Sequence, residues 1–281
     1  MNGMHYYDGE WSNSVSPVAS TMDIGLWSGT SVFDAARAID GRIPDLDLHC
    51  ERLINSAHEL LMHPAISSTD VEALCRDGVR RVGADEDLYL RPMFFQREGL
   101  RLPEVGKTEF ALSVFTSPMP PEVAGAACLS SFRRPAPDQA PTMAKAGCLY
   151  PLSQRAHAEA VERGYQMAVV RGPDGDVAEF SHANLWLAKD GEAITPAVNG
   201  SFLNGITRQR VAGLLRRAGI TVRERSVATE ELAEADEVFV TGNIGKVQAI
   251  NRYEDRDLQP GPIFRRARAL YMDFVASVAP I

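Results

Sequence analysis

Lysine is nearly absent from this chain. Of its 29 basic residues only four are lysine, at positions 107, 145, 189 and 246, so chemistry that needs a side-chain amine has few candidates. Cysteine is as scarce. Cys50, Cys75, Cys128 and Cys148 show no Cys-x-x-Cys spacing, which excludes a zinc framework or a disulfide scaffold and predicts a reduced, cytoplasmic setting. The six histidines are scattered, with neither His-x-x-x-His nor His-Glu-x-x-His, so no metal site is expected. No apolar run approaches about 18 residues, and no charged-then-apolar leader is present, so neither a membrane span nor secretion is expected. A net charge of −8 argues against nucleic acid as a partner. What remains is 281 residues, 45% hydrophobic and 23% charged. That suits a soluble protein of one large or two ordinary domains.

The pattern along the chain is mixed helix and strand. Asp8-Gly9 and Asp40-Gly41 mark turns among short strands over residues 4–40. Asp45 or Asp47 is expected to cap a helix with an apolar stripe of Leu46, Leu53, Ala57, Leu60 and Leu61. Arg52 lies off that stripe, where an arginine is ordinarily solvated. Ser67-Ser68-Thr69-Asp70 caps a second helix. Residues 87–95 read as a strand with Tyr89, Arg91 and Met93 on one face and Leu88, Leu90 and Phe94 on the other. Pro92 suggests that this strand is an edge. Arg97 and Arg101 fall in the irregular loop after it. Three prolines within 116–122 interrupt both helix and sheet. The domain boundary is placed there, giving domains of residues 1–118 and 119–281. Beyond it, strands and Gly-marked turns alternate with helices, and an amphipathic helix over 262–278 closes the chain.

Four stretches could carry chemistry. Lys107 and Lys189 sit in polar turns, whereas Lys145 lies in Met143-Ala144-Lys145-Ala146-Gly147. Small neighbours leave room beside its amine, and an apolar setting favours the neutral form, which attacks aldehydes. Taken alone, those five residues favour an ordinary strand-edge lysine. Gly205-Ile206-Thr207 opens a helix, whose free N–H groups and positive dipole end suit a phosphate, although a self-capped helix is the ordinary expectation. Gly242-Asn243-Ile244-Gly245 follows an apolar strand and suits an anion or a plain tight turn. Lys246 beside it is either a rival covalent lysine or a charge partner. Glu179 ends an apolar strand segment. It is either wet or paired, and a protonated pyridine nitrogen is one such partner. An amine, a two-piece anion cup and a carboxylate are the parts of a pyridoxal phosphate site.

Seven motifs in order make this more specific: Gly29-Thr30-Ser31-Val32-Phe33-Asp34, Leu48-His49-Cys50-Glu51-Arg52-Leu53, Leu88-Tyr89-Leu90-Arg91-Pro92, Ala144-Lys145-Ala146-Gly147, Asp176-Val177-Ala178-Glu179, Gly205-Ile206-Thr207-Arg208 and Ala235-Asp236-Glu237-Val238-Phe239-Val240-Thr241-Gly242. As a set they resemble the class IV aminotransferases, the pyridoxal-phosphate enzymes of fold type IV, and most of all the branched-chain amino acid aminotransferases. The resemblance implies a two-domain α/β (α+β) fold with the cofactor between the domains, and a homodimer whose partner lends loop residues. It implies that Lys145 forms the Schiff base with pyridoxal 5'-phosphate and moves the substrate proton. It places Glu179 at the pyridine nitrogen, Tyr150 at the phenolic oxygen and Leu203 on the ring. Arg52, Ile206, Thr207, Gly242 and Asn243 would hold the phosphate. Phe33, Tyr89 and Arg91 match pocket positions, and Arg91, Arg97 and Arg101 are candidates to anchor a keto-acid carboxylate.

The chain departs from the family pattern at several points. Gly242-Asn243-Ile244 replaces the usual Gly-Thr-Ala, Asn204 stands where proline usually precedes Gly-Ile-Thr, Ala35 replaces a common glycine, and Ser28 replaces an aromatic. The loop 98–105 lacks a Gly-rich stretch. These changes leave fold and cofactor better defined than substrate. The first expectation is transfer of an amino group between a branched-chain L-amino acid and 2-oxoglutarate. D-amino acid or (R)-amine transamination, and the elimination chemistry of aminodeoxychorismate lyases, are the alternatives.

Overall fold

Three Asp-Gly pairs set tight turns of one kind. In a computed structural model that describes residues 3–15, 17–83 and 86–281, Asp8 and Gly9 take φ of 51° and 82°, Asp40 and Gly41 47° and 69°, and Asp190 and Gly191 50° and 77°. Two successive left-handed residues match the twist of antiparallel strands, and Asp-Gly is the pair that tolerates them. The chain divides into two compact units. The first comprises Met1–Pro118, Ala144–Leu149 and Val275–Ile281, and the second Met119–Met143 and Tyr150–Phe274. The first unit is therefore not continuous in sequence: the six residues around Lys145 belong to it, although both flanks belong to the second.

The first unit contains β1 (Gly3–Tyr7), β2 (Glu10–Ser12), α1 (Ile24–Trp27), β3 (Ser31–Phe33), β4 (Ala36–Ala38), α2 (Leu46–Glu59), α3 (Ser68–Val82), β5 (Leu88–Gln96) and β6 (Thr108–Thr116). Its antiparallel sheet runs β2-β1-β6-β5-β3, with β4 also on β5. The strand β5 is thus interior, contrary to the edge expected from Pro92. The proline sits where β3 gives way to β4, and its carbonyl accepts from the Asp34 N–H at 2.9 Å. Leu88, Leu90 and Phe94 are buried while Tyr89, Arg91 and Met93 are not. Burial of each such side chain is worth roughly 1.5–3 kcal/mol.

The helix α3 opens with a reciprocal capping box: Asp70 N–H donates to Ser67 Oγ at 3.2 Å, and Ser67 N–H to Asp70 Oδ2 at 3.0 Å. The helix α2 does not behave as expected. Asp45 is its N-cap residue but is left-handed, and its side chain makes no cap hydrogen bond. Its buried face is Leu46, His49, Cys50, Leu53, Ser56 and Ala57, whereas Leu61 lies beyond the helix end and is 58% exposed. His49 and Ser56 replace part of the expected apolar stripe, and both serve the site described below.

The second unit contains β7 (Val123–Arg133), α4 (Tyr150–Glu162), β8 (Met167–Arg171), β9 (Val177–Phe180), β10 (Asn184–Lys189), β11 (Glu192–Pro196), α5 (Ile206–Arg217), β12 (Val222–Arg225), α6 (Thr229–Glu234), β13 (Glu237–Gly242), β14 (Lys246–Tyr253), β15 (Arg256–Asp257) and most of α7 (Pro262–Ser277). Its sheet runs β12-β11-β10-β13-β14-β7-β8-β9, with β15 on β14. One face packs Leu185, Leu187, Val238, Val240, Val177 and Phe180 into a core. The alternate residues Trp186 and Phe239 stack at 5.6 Å, and Phe264 of α7 packs on Phe239 at 6.2 Å. Buried Glu237 fixes the start of α7, accepting from the N–H groups of Ile263 and Phe264 at 2.9 and 2.7 Å. Among the described residues no helix is long and apolar enough to cross a membrane, and no group of three His, Cys, Asp or Glu could hold a metal ion.

Candidate active site

In the first unit the backbone of Lys145 is held on both sides. Its N–H donates to Ser56 Oγ on α2 at 3.0 Å, and its carbonyl accepts from Phe33 N–H at 3.1 Å. Ala146 makes an antiparallel bridge with Val32. The flanking Ala144 and Ala146 are buried, which explains the small residues there. The Lys145 Nζ lies 4.7 Å from the centroid of the Phe33 ring, a cation–π distance. Phe33 pairs with Met93, which alternates with Arg91 and Tyr89 along β5. The amine therefore lies over a residue of the sheet face that carries Tyr89 and Arg91.

Behind Phe33 is a charged cluster. Asp34, fully buried, accepts from Arg52 Nε at 2.7 Å and Nη2 at 2.9 Å, and bonds His49 Nδ1 at 2.7 Å. Burial by itself pushes the Asp34 carboxyl up. The charges of Arg52 and His49 and their hydrogen bonds outweigh it, and hold the group well below the usual carboxylate range. Arg52 is 16% exposed, so it is not the solvated helix-face arginine that its place off the apolar stripe suggested. The bidentate pair leaves the guanidinium a fixed plane.

The second unit holds the carboxylate and the anion loops. Glu179, at 7% exposure, receives Asn184 Nδ2 at 3.2 Å and lies 3.4 Å from Arg134 Nε. The same Asn184 donates to the Leu203 carbonyl at 3.0 Å and accepts from the Gly205 N–H at 3.1 Å. A Cβ at Gly205 would lie 2.0 Å from Asn184 Oδ1, so the glycine permits the amide that ties Glu179 to the start of α5. Gly205 is the N-cap of α5 and gives no side-chain cap. The expected self-capping is absent. Instead buried Arg208 pins this end, donating to Asn204 Oδ1 at 2.9 Å and the Pro196 carbonyl at 2.8 Å. Ile206 and Thr207 form the first turn, both buried.

Strand β13 packs against α5 and ends at Gly242. Asn243 follows, with its Oδ1 accepting from Lys246 Nζ at 2.7 Å and its buried Nδ2 without a hydrogen-bond acceptor among the described residues. Tyr150 begins α4, its ring 6.3 Å from that of His182.

The three arginines expected at a substrate carboxylate differ. Arg91 is exposed, over the Phe115 ring at 5.6 Å, with Tyr89 against the same ring at 5.4 Å. Arg97 donates to Glu109 at 2.9 Å, to Asp23 at 3.1 Å and to Tyr7 at 2.8 Å. Two carboxylates and a phenol claim its fork, which disfavours it as an anchor for a substrate. Arg101 is exposed on the loop after β5. Sequence reasoning missed Asp34, Arg134 and Asn184. Asp34 lay within a quoted motif, but its role depends on Arg52, 18 positions away. Asn184 had a local signal: an asparagine just past a strand-end glutamate.

Comparison with known proteins bears on the whole chain. The family model described as Amino-transferase class IV matches residues 31–253. The branched-chain-amino-acid aminotransferase of Pseudomonas aeruginosa is 31% identical, across 98% of this chain and 94% of the relative. Among solved structures, an aminotransferase from Brucella abortus bound to the cofactor PLP superposes with a TM-score of 0.96 at 41% identity, covering 98% of this chain and 99% of that one. The branched-chain amino acid aminotransferase from Escherichia coli superposes at 0.90 with 29% identity, covering 99% and 96%. The chain belongs to the class IV aminotransferase family, and its fold is that of the fold type IV enzymes.

Proposed function

We propose that the protein is a pyridoxal-phosphate-dependent aminotransferase that exchanges an amino group between a branched-chain L-amino acid and 2-oxoglutarate. The observation that carries this reading is the Lys145 amine over Phe33, on the sheet face that bears Tyr89 and Arg91. The residues present fit the cofactor on a test of their own. A buried Asn243 amide nitrogen without an acceptor and an α5 start without a side-chain cap are donors that a phosphate satisfies.

Once bound, the cofactor supplies an electron sink that makes the substrate Cα–H acidic. Lys145 Nζ would hold the cofactor covalently between turnovers and, once released, would take up the substrate Cα proton. Glu179, kept beside the Arg134 guanidinium and the Asn184 amide, would accept from the ring N–H and keep that nitrogen protonated. Tyr150 would meet the phenolic oxygen and Leu203 the ring, and Arg52, Ile206, Thr207, Gly242 and Asn243 would hold the phosphate. Arg91, with the exposed guanidinium, anchors the keto-acid carboxylate. A homodimer is part of the same reading.

The half-reaction tests this. The cofactor-loaded protein is mixed with L-leucine, D-alanine and (R)-1-phenylethylamine in turn, and its yellow colour is followed. Bleaching by L-leucine, reversed by 2-oxoglutarate, is the expected result. Bleaching by D-alanine or the amine alone would move the substrate to those classes. Turnover without any amino acceptor would favour a lyase.

A further inference from the structure

The loop between β13 and β14 contains a lysine in an expensive place. Lys246 is 1% exposed and has a left-handed backbone, φ 58°. Burying an ammonium is unfavourable unless it is well paired, and a non-glycine residue resists positive φ. A methionine would relieve the first cost and a glycine the second, yet the chain has lysine. Its Nζ donates to Asn243 Oδ1 at 2.7 Å, within a hairpin in which Gly242 and Lys246 are register partners.

An amide has one accepting and one donating end. A bond that claims Oδ1 fixes the direction of the other end. The reversed amide would set its NH₂ donors against the ammonium donors, so Lys246 excludes that orientation. The Nδ2 end is buried and has no acceptor among the described residues. A threonine hydroxyl at this position, as the family pattern usually has, turns its own proton towards an anion. An asparagine must be oriented to do the same.

Resting on the reading that this loop and the start of α5 hold the cofactor phosphate, we infer that Lys246 is a positioning residue for that anion. Its ammonium locks the Asn243 amide with the N–H donors available to phosphate, and places a buried positive charge one hydrogen bond behind them. The altered loop is then a working pair, Asn243 and Lys246, in place of one hydroxyl. The bond to Asn243 also gives Lys246 a task other than the covalent role of Lys145.

The test compares affinity of the apo-protein for pyridoxal phosphate and for pyridoxal, titrated by fluorescence quenching in phosphate-free buffer. Their ratio isolates the phosphate contribution. Lys246→Met and Asn243→Ala are each expected to lower the ratio by about tenfold or more while pyridoxal binding stays unchanged. The double variant should be no worse than the more affected single, because the two act as one unit. Lys246→Arg, which keeps a charged donor, should restore most of the preference. A wild-type ratio in Lys246→Met, or effects that multiply in the double variant, would overturn the inference. Should Lys246→Met not fold, inorganic phosphate is titrated into the wild-type apo-protein and the Asn243 side-chain amide is followed by NMR, its signal identified by its loss in Asn243→Ala. A saturable shift supports the pairing, and a static signal overturns it. A wild type with no preference for the phosphorylated ligand would instead remove the phosphate reading of the loop.

Discussion

Lys145→Ala is expected to lower the transamination rate by about 10⁴-fold or more, with no change of fold. The variant loses the side chain beyond Cβ, whose amine both anchors the cofactor and moves the Cα proton, and proton transfer alone typically contributes about 10²–10⁴-fold. The contacts that position the segment are backbone bonds to Ser56 and Phe33, and alanine keeps them. The neighbours Ala144 and Ala146 remain buried. Circular dichroism and the melting temperature should therefore match the wild type while steady-state turnover disappears. A variant that keeps its rate would displace Lys145 from the mechanism and turn attention to Lys246.

Asp34→Ala is expected to be the most destabilising single change near the site, by about 3–5 kcal/mol. It removes the bidentate partner of Arg52 and the Asp34 carboxylate that bonds buried His49 Nδ1. The same change frees the guanidinium, so affinity for the phosphorylated cofactor should fall too. The pH dependence follows from the direction of the Asp34 shift. Its folded pKa lies below the ordinary 3.8, so the unfolded chain binds the proton more tightly. The stabilisation is fully present above the ordinary value and is lost as pH falls through the folded one. Urea unfolding of wild type and variant should differ fully at pH 7, and the gap should narrow progressively as pH falls below about 4. Equal midpoints at pH 7 would contradict the cluster's role.

Local signals in the sequence read well. The alternation of Leu88, Leu90 and Phe94 against Tyr89, Arg91 and Met93 is a period-two pattern, and the structure buries one set only. The Ser67 and Asp70 capping box needs three residues of spacing and nothing else. What escaped was non-local. Arg52 looks solvated by helical periodicity because Asp34, its partner, sits on the connection after β3. Pro92 suggested an edge because its neighbour's change from β3 to β4 is invisible in one strand's sequence. Arg97 looked available because Asp23, Glu109 and Tyr7 come from three distant stretches. The residues 144–149 join the first unit through the Val32–Ala146 bridge, a pairing across more than a hundred positions that no window of sequence displays.

The central claim is that Lys145 carries the cofactor, and chemical trapping tests it most directly. The wild-type protein is loaded with pyridoxal phosphate, reduced with borohydride to fix the lysine–cofactor bond, digested and mapped by mass spectrometry. The expected result is a stable adduct on the peptide containing Lys145, with Lys107, Lys189 and Lys246 unmodified. An adduct on Lys246, or none on Lys145 in a protein that turns over its substrate, would contradict the account.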